Sequence, residues 1–370
     1  MTGPTPDAPT TCPTGELPRS TGVVVVGAGI TGASIGHHLA LRGIPVTVVE
    51  QAPGPGAGAT GRSGGMVRGY DPDPAIGELA RPSLAVYRDP AHWASGRAPL
   101  RAVGAITVTD PADQPALRTA ADRINRGPTA SAYVVTGREE IMGVRLDGGA
   151  ALVEPDAGWV PPLEVTRDWL GQAVANGASL HYGTRVLGVE DRGGRPVVRT
   201  SAGEIRAGAV VAATGLWTAR PPQGLRPSSP VRSRSIQISI VRREPPAPAH
   251  ATFIDLRTGV YARPVDANHS LIGMPHLVWD SPFDSASDPA HARATAQAVG
   301  IHLPWVAAAE QVDVVRAADG YGEQSGILTR TRLPHVWSVR GWNGGGVKTA
   351  PEAGRRIANT LFTRAFTHDA

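Results

Sequence analysis

Residues 21 to 50, TGVVVVGAGITGASIGHHLALRGIPVTVVE, constrain the fold more than any other stretch of this chain. Val23 to Val26 form an unbroken β-branched run, the pattern of a strand buried on both faces of a parallel sheet. From Ile30 to Leu41 the apolar spacing turns helical and Gly43 ends it; Val46 to Val49 read as a second buried strand closed by Glu50. Together they predict one βαβ unit. Gly27, Gly29 and Gly32 stand between strand and helix as G-x-G-x-x-G. The first permits a tight turn, the second lets the backbone approach a pyrophosphate, and the third lets helix and strand pack closely with the helix N-terminus facing the negative charge. Ala28, Ile30 and Thr31 fill the turn. Glu50, 18 residues past Gly32 and followed by Gln51, is placed to accept hydrogen bonds from ribose hydroxyls. The stretch therefore predicts dinucleotide binding; its alternative is a glycine-rich packing turn.

A chain of 370 residues suits two domains sharing an interface. Its pI of about 9.6 accompanies a net charge of only +4, with the arginines scattered. The densest group, Arg226, Arg232, Arg234, Arg242 and Arg243, has no adjacent aromatic for base stacking and reads as a solvated strand face. No nucleic-acid partner is expected. Cys12 is the sole cysteine, which excludes an intrachain disulfide and a thiolate metal cluster and fits a reducing compartment. Residues 1 to 20, rich in Pro and Thr, have neither a basic start nor an apolar core, and no apolar run reaches a membrane span. The expectation is a disordered tail on a cytoplasmic protein with no membrane partner and no metal, monomeric or homodimeric.

After Glu50 comes GPGAGATGRSGGMVRGY, whose backbone must turn sharply or approach something closely. VGAITVTD (103 to 110) reads as a strand, EVTRDWLGQAVANG as an amphipathic helix ending at Gly177, and ASLHYGTRVLGVE, which contains Val186, as a strand. AGAVVAATGLWT is another buried strand running into a glycine turn. Residues 230 to 275 hold strand-like runs separated by Pro and Asn turns, typical of an antiparallel sheet. The end returns to strand, glycine turn and helix. The predicted class is α/β, α+β overall: a Rossmann-like cofactor domain assembled from residues 21–100, 150–228 and 312–370, with an antiparallel-sheet substrate domain from 101–149 and 229–311.

The glycine-rich loop directly after Glu50 favours flavin over a pyridine nucleotide. With VVAATGLWT and GWNGGGVKTAPEAG it resembles the FAD-dependent amine and amino-acid oxidases of the D-amino-acid oxidase superfamily, nearest to monomeric sarcosine oxidase and glycine oxidase. The resemblance covers most of residues 22 to 365. It implies that Gly27, Gly29 and Gly32 cradle the FAD pyrophosphate, that Glu50 holds the ribose, and that Arg62, Ser63, Gly64, Gly65 and Met66 run under the isoalloxazine. It implies further contacts from Ala213, Thr214, Gly215 and Trp217, and from Asn343, Gly344, Gly345, Gly346 and Val347 at the pyrimidine end. Such oxidases hold the substrate carboxylate between two cations that match Arg68 and Lys348.

Lys348 is the only lysine beside 35 arginines. A cation at a helix start opposes the dipole, which argues against a purely structural lysine, although a snorkelling side chain is the alternative. For Arg68 the alternative is an ordinary surface ion pair. Arg316 matches the carboxylate-binding arginine of glycine and D-amino-acid oxidases and is a rival anchor. Arg263 lies near the lysine that assists oxygen reduction in sarcosine oxidases, or else braces the sheet. Tyr261, His269 and Trp342 either line the pocket over the flavin or pack. Sarcosine oxidases bind flavin through a cysteine before the final strand; AADGYGEQSGILTR has none, so the FAD is expected to be non-covalent. The implied activity is hydride transfer from a C–N bond of a small amine or amino acid, with O2 reoxidising the flavin to give H2O2. Passing electrons to a protein partner is the alternative, and RGWNGGG, without a Gly-Asp motif, disfavours an aromatic hydroxylase.

Overall fold

The computed structural model describes residues 15–127, 131–244, 249–323 and 326–366. Most of the tail expected over 1–20, with Cys12, lies outside the described residues, and Ser20 already opens the first strand. The predicted βαβ unit is present as β1 (Ser20–Val26), α1 (Ile30–Ala40) and β2 (Val46–Val49). Strand β1 runs parallel to β2 on one side and to Gly203–Ala212 on the other, with Val25 level with both Val48 and Val211. Val23, Val24 and Val25 are fully buried, and each such side chain contributes about 1.5–3 kcal/mol on leaving water. This accounts for the β-branched run: both sheet faces are covered. On one face α1 packs against the helices Pro162–Ala175 and Gly346–Phe366. Beneath them Tyr87, Trp93 and Trp169 stack with ring centroids 5.6 to 6.2 Å apart.

The first sheet orders its strands as Ser179–His181, β2, β1, Gly203–Ala212, Pro196–Thr200 and Val186–Asp191, with Val336–Val339 also alongside Gly203–Ala212. Residues 178 to 190, read as one strand, form two. Gly183 adopts φ +65°, and the N–H groups of Gly183 and Thr184 donate to the carbonyls of Ala52 and Glu50. The chain is thereby folded over the carboxyl end of β2, which brings Val186 to the site described below.

The second sheet has eight strands in the order Gln311–Tyr321, Arg232–Arg242, His269–Gly273, Tyr261–Pro264, Thr252–Asp255, Ala105–Thr109, Ala150–Glu154 and Tyr133–Val135. All pairs but Thr252–Asp255 with Ala105–Thr109 are antiparallel. The expected boundaries at 150 and 312 each leave one strand on the wrong side. Ala150–Glu154 pairs with Ala105–Thr109, and Gln311–Tyr321 pairs with Arg232–Arg242. The physical reason is that AALVE is buried throughout, so its apolar run reads the same in either sheet. Among the described residues no helix is long and apolar enough to cross a membrane.

Candidate active site

A cleft of about 1030 Å³ lies where the two sheets meet, walled by the carboxyl ends of β1 and β2 on one side and by the second sheet on the other. At the nucleotide end Gly27 holds φ +108° and donates to the Val49 carbonyl at 2.8 Å. A Cβ on Gly32 would stand 1.9 Å from the Gly27 carbonyl oxygen, so the helix can approach the turn only at a glycine. Helix α1 has no side-chain cap at Gly29, leaving first-turn N–H groups for an anion, while Thr60 Oγ1 accepts from Ile30 N at 3.1 Å. The Glu50 carboxylate is fixed by the N–H groups of Ala28 (2.8 Å) and Ala52 (2.9 Å) and borders the cleft.

The loop Arg62–Met66 crosses the middle. Gly65 holds φ +65°, donates to Ser63 Oγ at 3.1 Å and accepts from Val160 N at 2.9 Å. Arg62 lies over the Phe283 ring at 4.1 Å, and Phe283 in turn meets Trp217 at 5.7 Å. From the other side Ala213 donates to the Val26 carbonyl at 2.9 Å, which sets Thr214 and Gly215 at the rim. The C-terminal turn adds Asn343 and Gly344, both at positive φ, followed by the N-terminus of the 21-residue helix that begins at Gly346. Trp342 borders this space, and its Nε1 is buried and without a partner. An uncapped start to α1, an open glycine cradle, a fixed acid and an orphaned indole N–H suit a pyrophosphate, a ribose and a ring that carries acceptors, which is the chemistry of FAD.

Of the site residues expected from sequence, the cleft gathers Gly27, Gly29, Ile30, Thr31, Glu50, Gln51, the loop from Arg62 to Met66, Arg68, Val186, the segment from Ala213 to Gly215, Trp217, Tyr261 and the segment from Trp342 to Lys348. Ala28 and Gly32 stand behind its wall. Burial pushes the Tyr261 phenol well above its ordinary value, so it stays neutral. Three residues are elsewhere. Arg263 sits behind the flavin loop, donating to the Gly64 carbonyl at 2.5 Å with its guanidinium 4.0 Å over Trp159; burial lowers its pKa to about 10. It braces the loop. Arg316 is turned to Gln237 and His276 at 3.4 Å, and its carbonyl accepts from Arg62 at 2.8 Å. His269 pairs with Asp266 at 3.0 Å at the start of its strand, because Asp266 also caps the N–H groups of that turn.

The expected cation pair is present in altered form. Lys348 is buried and ion-paired with Asp71, which also borders the cleft. Burial and the neighbouring Arg68 lower the lysine pKa to about 8 against the pull of Asp71. Buried Glu154 accepts from the N–H groups of Gly69 (2.7 Å) and Tyr70 (3.0 Å); burial pushes its pKa up against those bonds and Arg68. Two cations and two acids therefore share this corner. The sequence reading missed Asp71, although it stands three residues past Arg68. It also missed His276, whose Nδ1 lies 2.6 Å from Ser235 Oγ and which burial keeps neutral, and it missed Arg234 and Tyr321. No local pattern marks them, since the second sheet brings them together.

Known proteins share this fold. The fold matches the crystal structure of L-proline dehydrogenase from P. horikoshii with a TM-score of 0.79 at 22% identity, over 93% of this chain and 94% of that one. Glycine oxidase from Geobacillus kaustophilus gives a TM-score of 0.76 at 22% identity, over 93% of this chain and 95% of that one. Among curated sequences, the 4-methylaminobutanoate oxidase (formaldehyde-forming) of Paenarthrobacter nicotinovorans is 24% identical over 94% of this chain and 44% of its own length. The bifunctional MnmC protein of tRNA 5-methylaminomethyl-2-thiouridine biosynthesis from Azoarcus sp. (strain BH72) is 31% identical over 61% of this chain and 36% of its own length. The chain thus spans less than half the length of these curated relatives. With the profile of the DAO family, FAD dependent oxidoreductase, matching residues 22–360, the chain belongs to that family and is an FAD-dependent oxidoreductase.

Proposed function

We propose that the protein oxidises the C–N bond of a primary or secondary amine or amino acid to an imine, with O2 as the final electron acceptor. The observation that carries this reading is one continuous cleft, with nucleotide-binding backbone at one end and a mixed apolar and cationic chamber, including Tyr261, His276 and Arg234, at the other. When bound, FAD supplies the two-electron acceptor for a hydride from the substrate carbon. Glu50 and the start of α1 would hold its phosphoribosyl part, Arg263 braces the Arg62–Met66 loop, and the start of the C-terminal helix would lend its dipole to negative charge on the ring. A neutral amine gives up its nitrogen proton as the imine forms, and we assign His276, which borders the cleft and which burial keeps neutral, to receive it. Dioxygen takes two electrons and two protons, leaving as hydrogen peroxide.

The compounds for which both curated relatives are named carry methylamino groups, which keeps secondary amines within the proposed class. Anaerobic mixing of the yellow protein with a panel of amines and amino acids is expected to bleach the flavin with at least one carboxylate-bearing member. A panel that bleaches nothing overturns the reaction. Rapid peroxide release on admitting air supports an oxidase, whereas bleached flavin that stays reduced in air for minutes supports a dehydrogenase, the activity in the name of one structural neighbour. The only cysteine is Cys12, so we further propose dissociable FAD. Acid precipitation should leave all of the yellow colour in the supernatant; colour in the pellet contradicts this.

A further inference from the structure

We propose that residues 281–287 form a clasp over the cofactor cleft, and that Phe283 at its tip sets how fast FAD leaves. The inference rests on the reading of the FAD as dissociable. Both ends of this segment are tied to one strand of the second sheet, Arg232–Arg242. At the first end Asp280 donates from its N–H to the Ser233 carbonyl at 2.7 Å and pairs its carboxylate with Arg232 at 2.6 Å, while Ser233 Oγ donates to the Ser281 carbonyl at 3.2 Å. At the second end Gln237 holds both the N–H (2.7 Å) and the carbonyl (2.8 Å) of Asp288. Between these ties the chain has neither helix nor strand. Ser285 draws it into a compact turn, its hydroxyl meeting Ser281 Oγ at 3.0 Å and donating to the Pro282 carbonyl at 2.9 Å.

The tip of this turn reaches the other half of the molecule. Phe283 lies under the Arg62 guanidinium at 4.1 Å and meets the Trp217 ring at 5.7 Å. Arg62 belongs to the loop that crosses the cleft, and Trp217 follows the strand Gly203–Ala212. Both border the cleft, and Trp217, 37% exposed, stands at its mouth. Trp217 lies in turn on Gly58, where a Cβ would come within 3.1 Å of its ring, and Gly58 borders the cleft as well. One half-buried phenyl ring thus ties the second sheet to two residues of the cofactor side. A cation over a ring and a tilted ring pair together are worth about tenfold in an equilibrium or a rate. These contacts can part while the bonds at Ser233 and Gln237 stay made, so the turn opens at far lower cost than a strand. Among the described residues no cysteine is present to bond the flavin, which leaves closure of this kind as a means of holding it.

The test follows FAD release after dilution of the loaded protein, as flavin passing a protein-retaining filter, with FAD uptake by the stripped protein in parallel. Phe283→Ala should release FAD about tenfold faster, take it up no more slowly, and leave the melting temperature of the stripped protein as in the wild type. Phe283→Trp, which keeps a ring face for Arg62, should release it at the wild-type rate. Phe283→Leu keeps apolar bulk without that face; it should also release FAD faster, and it serves if the alanine variant does not fold. In a Trp217→Ala background the Phe283→Ala step should have a smaller effect, because the ring pair is already gone. Release unchanged in both Phe283→Ala and Phe283→Leu overturns the clasp, as does faster release matched by a lower melting temperature of the stripped protein. Colour held in the acid pellet refutes dissociable FAD and the clasp together, whereas unchanged release from a protein whose colour is extracted by acid refutes the clasp alone.

Discussion

Gly32→Ala should yield a protein that purifies colourless and takes up added FAD at least about 100-fold more weakly, near 3 kcal/mol. The new methyl would stand 1.9 Å from the Gly27 carbonyl oxygen and 3.5 Å from the Ala213 side chain. Neither helix nor turn can yield cheaply, because Gly27 is tied to Val49 and the Val26 carbonyl to Ala213. Moving the helix start away from the turn widens the gap that the pyrophosphate spans and separates the N–H groups that would hold it. Gly171→Ala is the control, since Gly171 lies exposed in the helix Pro162–Ala175 with open space where a Cβ would go. It should stay yellow and gain about 0.5–1 kcal/mol in stability. Absorbance at the flavin band relative to protein, then FAD titration of the stripped protein, reads both variants. A Gly32→Ala protein with the FAD affinity of the wild type would refute the close-approach argument.

Asp71→Asn should destabilise the protein by about 3 kcal/mol at neutral pH, and the loss should shrink as the solution becomes alkaline. The substitution removes the acid that faces buried Lys348 and leaves the lysine charged beside Arg68. The sign follows from proton counts. Burial first, and Arg68 second, hold the folded lysine at about 8, below the ordinary 10.5 of the unfolded chain. In that window the unfolded state binds more protons, so this group's contribution to stability rises with pH. Without Asp71 the folded value falls further, and the variant recovers at lower pH than the wild type. The gap between the two is therefore full below the variant's own pKa and narrows up to pH about 8, where the wild-type ion pair itself is lost. Urea unfolding at pH 6, 7, 8 and 9 measures it. An equal gap at pH 6 and pH 9 would show that Asp71 contributes by packing alone.

Lys348 illustrates how far the sequence carries. Its isolation among arginines marked it as a site residue, and the cleft does contain it beside Arg68. Its partner Asp71 lies 277 positions away, and nothing in YDPDP announces a buried carboxylate. The arginines of the strand Arg232–Arg242 make the same point. Read together they formed a solvated face, which holds for Arg232 with Asp280 and Arg242 with Glu310, both exposed pairs. Two positions along from Arg232, Arg234 is covered by Tyr321 and Trp279, contributed by other segments. The same local pattern thus serves solvent and site. His269 and His276 were similarly indistinguishable in composition, and only the turn geometry at Asp266 and the cover of Ser235 separate them.

The βαβ unit of the nucleotide half was determined by sequence alone, because its requirements are local: a β-branched run, three glycines at fixed spacing and an acid at the end of the next strand all act within 28 residues, from Val23 to Glu50. The substrate half was decided by tertiary structure. Which cation meets an acid and which is left free depends on distance through space, and in a sheet the neighbours across a strand come from remote parts of the chain. Lys348 and Arg234 carry the same charge in the same cleft, yet packing gave one a carboxylate and the other an aromatic seat with an Nε that has no partner.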